Sequence, residues 1–212
     1  VLACLAPPIF PSRPAAGTRY RMLETVRQYA LEQLERSGEA ASTGARHVGY
    51  FLEMAEIAEQ GLVGAEQITW RDRLDREQDN LRAALQRAIA DGSAEAEARM
   101  CASLWRYWND GDHLVEGDRR LADAVDRADG AHLEPTLRGR LCRAASSLAW
   151  KHGDLERAEE LAESALELFR STADSAGIGG ALHLLGILAE LRTRNGDARR
   201  RYEEALAIRE AA

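Results

Sequence analysis

Five histidines, three cysteines and 35 acidic side chains are the residues of this 212-residue chain with the chemistry for catalysis or metal binding. The cysteines Cys4, Cys101 and Cys142 are odd in number and widely spaced, with no C-x-x-C and no disulfide framework. A cysteine nucleophile needs a base beside it, and nothing in the sequence places a histidine next to Cys101 or Cys142. Both fall on inward helix positions, where a thiol serves as a small apolar residue. His47, His113, His132, His152 and His183 show neither H-E-x-x-H nor any other paired ligand spacing. His152 and Glu156 lie four residues apart, which reads as a surface pair at a helix start rather than half of a metal site. The run Glu156, Glu159, Glu160 and Glu163 could suggest acid–base work. That chemistry needs two carboxylates converging in a cleft with separated pKa values, whereas these line one solvated helix face. Arg157 and Arg170 can pair with such neighbours for about 0.3 kcal/mol each. The expectation is a non-catalytic chain with no metal and no cofactor of its own.

The elements that carry these residues are set by composition and periodicity. Hydrophobic residues make up 45% and aromatics only 6%, so alanine and leucine must build most of the core. The formal charge is −7, which argues against direct nucleic-acid binding. Arginine carries nearly all the positive charge, Lys151 being the one lysine. No apolar run approaches the roughly 18 residues needed to span a bilayer, so no membrane association is expected. The reduced, unpaired cysteines point to the cytoplasm. The opening VLACLAPPIF has no basic leader and is broken by Pro7 and Pro8, and the chain starts without Met, as a fragment of a longer protein would.

Pro7, Pro8, Pro11 and Pro14 exclude a helix over residues 1–17. Residues 18–23 alternate and predict a short strand needing a partner, near Ile9 and Phe10 or upstream. From Glu24 the spacing Val26, Tyr29, Ala30, Leu34 is helical, with Gly38 as the stop. A helix is predicted over residues 47–60, with Tyr50, Phe51, Met54, Ile57 and Ala58 on one face. Another is predicted over 68–90, with Leu74, Leu81, Leu85 and Ile89. The divisions expected are a Pro-rich segment with an exit strand and helix (1–38), a helical hairpin (39–97) and three helix pairs (98–212).

The last division rests on an internal repeat. Ala158 and Ala165 recur at Ala198 and Ala205, a shift of 40, and a shift of 41 places Gly117 and Ala124 over Ala158 and Ala165. Cys101, Cys142 and Leu182 coincide, as do Leu104, Ala145 and Leu185; Trp105, Ser146 and Gly186; Trp108, Ala149 and Ala189; and Leu121, Ala162 and Tyr202. Each unit reads as a helix, a tight Gly-Asp turn (111–112, 153–154, 196–197) and a second helix. The third Gly-Asp falls late, so an irregular turn is expected there. Small residues recur where two helices cross closely. Such a pair cannot bury its apolar stripe alone and is stabilised by stacking on its neighbours.

Through Leu185-Gly186, Ala198, Tyr202 and Ala205, and through Ala158, Ala162 and Ala165, the chain resembles the tetratricopeptide repeats. The resemblance implies an all-α superhelix of antiparallel helix pairs. The period exceeds the usual length of about 34, leaving HEAT-type repeats, at about 40–47, as an alternative. The extra residues are assigned to the segments between units, such as RSTADSAGIGG. Further segments, RYRMLETVRQYALEQLERSGE, RHVGYFLEMAE, WRDRLDREQDNLRAALQRAI and SLWRYWNDGDHLVEGDRRLADAV, resemble bacterial STAND-type regulators. These are the large LuxR-like and AfsR-like ATP-binding transcriptional regulators of actinobacteria. That resemblance covers about residues 18–210. It implies a winged-helix remnant at the N-terminus, ATP binding only in an upstream domain, and contact with other domains of one polypeptide. No G-x-x-x-x-G-K occurs here and no complete helix-turn-helix is evident.

Tetratricopeptide repeats bind ligands on the inner face built by the first helix of each pair. The resemblance places Arg99, Arg106, Asn109, Arg140, Arg143, Ser147, Trp150, Lys151, His183 and Glu190 there, and assigns Trp105 and Trp108 to the core. The inner face of the first two units is therefore basic in an acidic chain, suited to carboxylate or phosphate. A protein or peptide partner is expected, with a small-molecule inducer as the alternative.

Overall fold

The computed structural model describes residues 23–110 and 113–211. Their regular structure is entirely helical: α1 (Glu24–Arg36), α2 (Ala40–Gly61), α3 (Gln67–Ala90), α4 (Ala94–Asn109), α5 (Leu114–Asp129), α6 (Pro135–His152), α7 (Leu155–Ser171), α8 (Ser175–Leu191) and α9 (Asn195–Ala211). Two compact units are present, Val1–Tyr50 and Phe51–Ala212. The Pro-rich segment, Cys4, the Gly111-Asp112 turn and all of the expected strand but Leu23 lie outside the described residues. Leu23 is extended and starts α1, and no strand occurs among the described residues, so the winged-helix remnant finds no support in them.

In the first unit α1 leaves Val26, Tyr29 and Leu31 exposed. In the second, Phe51, Met54, Ala55, Ala58 and Leu62 of α2 share one buried cluster with Leu74, Leu81, Ala84 and Leu85 of α3. Tyr50, Ile57 and Ile89, expected on the apolar faces, are exposed; the alanines Ala55, Ala84 and Ala88 are buried instead. At such crossings a small side chain permits a closer approach than a branched one.

The remaining helices form three antiparallel pairs. α4 packs on α5, α6 on α7 and α8 on α9, while α5 packs on α6 and α7 on α8. α4 also touches α6, and α6 touches α8, so the first helices stand in a row. Most aligned repeat positions are buried: Cys101, Cys142 and Leu182; Leu104, Ala145 and Leu185; Trp108, Ala149 and Ala189; Ala158, Ala165, Ala198 and Ala205. Tyr202, aligned with buried Leu121 and Ala162, is partly exposed. Burial pushes the Cys142 thiol up to about 11 and Cys101 higher still, which keeps both protonated and unreactive.

Four of the turns share one geometry. After α3, α6, α7 and α8 a residue in left-handed conformation follows the helix, and the next residue donates its N–H back across the turn: Ser93 to the Ala88 carbonyl, Asp154 to Ala149, Asp174 to Phe169 and Arg194 to Ala189. This is the Schellman C-terminus. The left-handed residue is Gly92 or Gly153 in two turns, but Ala173 (φ 54°) and Thr193 (φ 57°) in the others. Asp154 and Asp174 then cap the following helix by accepting from the Arg157 and Gly177 N–H groups. The expected turn at Gly196-Asp197 is corrected: both lie in the first turn of α9, and Thr193 makes the turn. The extra length of the repeat is likewise not in the linkers. Only residues 172–174 separate α7 from α8, so most of RSTADSAGIGG is helical and the period grows through helices of 17 and 18 residues.

A β-branched side chain in the left-handed region costs about 1–2 kcal/mol. Thr193→Gly is therefore expected to raise the unfolding free energy by about 1 kcal/mol, read from urea denaturation. A loss would show that Thr193 is held by contacts outweighing its backbone strain.

Ion pairs tie helices together within and between the pairs. Glu97, buried on α4, accepts from both Arg127 Nε and Nη2 on α5. Asp118 on α5 accepts from Arg157 Nη1 at 3.2 Å and bonds His152 Nδ1 at 2.8 Å. Glu116 on α5 accepts from Arg82 Nε of α3 and Arg120 Nε at 2.9 and 2.8 Å. These guanidiniums, Arg82 foremost, hold the Glu116 carboxyl down at about 2, against an ordinary 4.5. A folded-state value below the unfolded one stabilises the fold above the unfolded pKa, and that contribution disappears as pH falls through the folded value. Between about pH 4.5 and 2 the protein should lose stability that a Glu116→Gln variant already lacks. The melting-temperature gap between the two should therefore shrink from pH 6 to pH 2; a constant gap would contradict the linkage.

Candidate functional site

The face built by α4, α6 and α8 carries the residues assigned to the groove, and their environments differ. Arg99 on α4 pairs with Glu56 at 2.8 Å and Glu95 at 3.5 Å. Arg140 on α6 pairs with Glu59 at 2.6 Å, and Ser103 donates to the same carboxylate at 3.4 Å. Glu56 and Glu59 both belong to α2, so this helix lays two carboxylates against the row. Arg140 and Arg99, both assigned to the groove, each carry an internal carboxylate partner on α2.

Arg106 and Arg143 are different. Among the described residues neither guanidinium makes an ion pair, and Arg106 Nε is buried without a hydrogen-bond partner. Both stack on Trp105, with the Arg106 guanidinium carbon 4.4 Å and the Arg143 carbon 5.7 Å from the ring centroid. A cation over an indole face gains about 0.5–2 kcal/mol, more as water is excluded. Trp105 is 9% exposed, as its core assignment implies, yet its Nε1 is also buried without a partner. The Arg143 stem runs against Gly180 of α8, where an added Cβ would lie 3.6 Å from its Cδ. Burial lowers the Arg143 pKa, and the neighbouring Arg106 and Arg140 charges lower it further.

The other assigned residues are spread along the same helices. Asn109 donates to Asp110 at 3.0 Å. Ser147 donates to the Arg143 carbonyl at 3.0 Å, bracing α6. Lys151 stands 5.2 Å from the ring centroid of half-buried Trp150. His183 lies 5.5 Å from Tyr202 of α9 between ring centroids, and Tyr202 donates to Glu190 at 3.1 Å. His183 and Glu190 thus flank the α8–α9 crossing, while the basic centre is Arg106, Arg140 and Arg143.

Sequence reasoning did not find Glu56 and Glu59, nor the role of Trp105 as a platform for two guanidiniums. The one signal for the glutamates was their three-residue spacing on a helix; which arginines they meet depends on how the hairpin packs. Beside this face, where α4 and α6 begin, an open cleft of about 700 Å³ is lined by Glu95, Arg99, His132, Glu134, Thr136 and Arg140 among others. Among the described residues no group of His, Cys, Asp or Glu could hold a metal ion, and no helix is long and apolar enough to cross a membrane.

Comparison with known proteins adds to this geometry. The chain is 40% identical, over 47% of its length, to proteins of Mycobacterium bovis and of two strains of Mycobacterium tuberculosis whose names describe an HTH-type transcriptional regulator. It spans 11% of the length of these relatives. No solved structure gives a significant match. Residues 141–211, from within α6 to the end of α9, match the tetratricopeptide repeat family.

Proposed function

We propose that this chain is a non-catalytic regulatory region of a STAND-type, LuxR-like or AfsR-like transcriptional regulator working in the cytoplasm. Its helix pairs over residues 98–212 bind a protein partner on the α4–α6–α8 face. The observation that carries the reading is the basic, aromatic centre on that face, Trp105 with Arg106 and Arg143, in a chain of net charge −7. The tetratricopeptide repeat match and the regulator names of its relatives support it. ATP binding and DNA contact belong, in this reading, to other parts of a longer polypeptide, which are themselves among the partners. Hydrogen exchange tests it: a partner captured with the 212-residue chain should slow exchange in α4, α6 and α8. Protection confined to α5, α7 and α9 would refute it. The cleft beside Arg99 and His132 favours a second reading, a small anionic effector. Calorimetric binding of such a molecule, lost in His132→Ala, would favour it over the first.

A further inference from the structure

Arg106, Arg140 and Arg143 bring three positive charges to one stretch of α4 and α6, and neither of the carboxylates close to Arg143 forms an ion pair with it. Glu59 is bonded to Arg140 and Ser103. Asp174, the other carboxylate close to Arg143, caps α8 through the Gly177 N–H. That leaves the half-buried Arg143 guanidinium without an ion pair among the described residues, beside an Arg106 Nε that is buried and unbonded. A desolvated cation without an anion is costly, and planar guanidiniums present paired donors matched to a carboxylate. Trp105 fixes the orientation of both by stacking, so the donors are held in place before a ligand arrives.

We infer that Arg106 and Arg143, held on Trp105, seat a carboxylate of an acidic peptide segment of the partner. This rests on the reading of the α4–α6–α8 face as an interaction surface and names what that face recognises. The favoured occupant is a peptide because Arg99 and Arg140, paired internally with Glu56 and Glu59, continue along the row, so further carboxylates of one acidic segment can compete for guanidiniums that already hold a carboxylate. Glu59 acts there as an internal competitor, holding Arg140 with the group an incoming peptide would offer.

The test uses the 212-residue chain and a fluorescent, acetylated and amidated poly-glutamate peptide, read by anisotropy at fixed ionic strength. Arg143→Met, which keeps the stem against Gly180, and Arg106→Met should each weaken binding about tenfold, the loss expected for one charge-assisted contact. Arg199→Met removes the same charge from an exposed position on α9 and should leave affinity unchanged. Glu59→Gln, which frees Arg140, should tighten it. If Arg143→Met lowers the melting temperature, Arg143→Lys and Arg106→Met carry the test. Unchanged binding in both inner variants, equal weakening in Arg199→Met, or inorganic phosphate binding more tightly than the peptide would overturn the assignment. A native partner that protects α4, α6 and α8 yet binds Arg143→Met normally would remove this seat and leave the interaction surface standing. Peptide binding lost in Arg143→Met, with no partner on that face, would remove the interaction surface and leave the seat.

Discussion

Phe169→Ala is expected to lower the unfolding free energy by about 3–5 kcal/mol, the cost of emptying a packed aromatic site. Phe169 on α7 is fully buried, and two glycines make its space. An added Cβ at Gly139 of α6 would lie 2.9 Å from the ring Cε1, and one at Gly177 of α8 would lie 2.5 Å from Cγ. The ring therefore fills the gap left by two missing side chains and ties α6, α7 and α8 together. Its removal leaves a cavity bounded by helix backbones, which cannot close without moving α8 toward α6. Urea denaturation measures the loss; a change below about 1 kcal/mol would mean the three helices collapse freely onto one another.

Gly117→Ala and Gly49→Ala should change stability in opposite directions although both glycines sit inside helices. In an open helix interior, alanine is favoured over glycine by about 1 kcal/mol. Nothing lies within 4 Å of a Cβ built at Gly49 on α2, so Gly49→Ala should gain that amount. At Gly117 on α5 the new Cβ would lie 2.6 Å from Trp108 Cγ and 2.8 Å from Leu148 Cδ2. The root of the Trp108 side chain cannot swing away, so the helices must part, and overpacking of this kind costs about 1–3 kcal/mol. Thermal unfolding of the two variants decides it. A stabilised Gly117→Ala would show that α4 and α5 do not cross as closely as described.

Gly117 also shows why the repeat was legible. It occupies the register of Ala158 and Ala198, and the requirement for a small residue at a close helix crossing survives when the residue type changes. The turn at Gly153-Asp154 was legible for a similar reason: a glycine supplies the left-handed residue and an aspartate the cap. The turns at Ala173 and Thr193 were hidden because their side chains disguise the same backbone conformation. The misleading Gly196-Asp197 pair is helical, and nothing local distinguishes it from a turn. At the site, the helical frame named Arg106 and Arg143 together with Arg99 and Arg140, since position within a repeat is a local property. It could not separate engaged arginines from open ones, because that depends on α2, whose Glu59 lies 81 residues from Arg140 in sequence. Trp105 was placed correctly in the core, but stacking by two guanidiniums is a tertiary outcome that spacing does not encode.

The central claim is that the row of first helices, rather than the outer helices, is the working surface. Site-specific photocrosslinking tests it most directly. A photoreactive side chain is introduced at Lys151 on α6 in one variant and at exposed Glu167 on α7 in another, each irradiated with a purified native partner. Crosslinks from position 151 and none from position 167 are the predicted result; crosslinks from 167 alone would contradict the account.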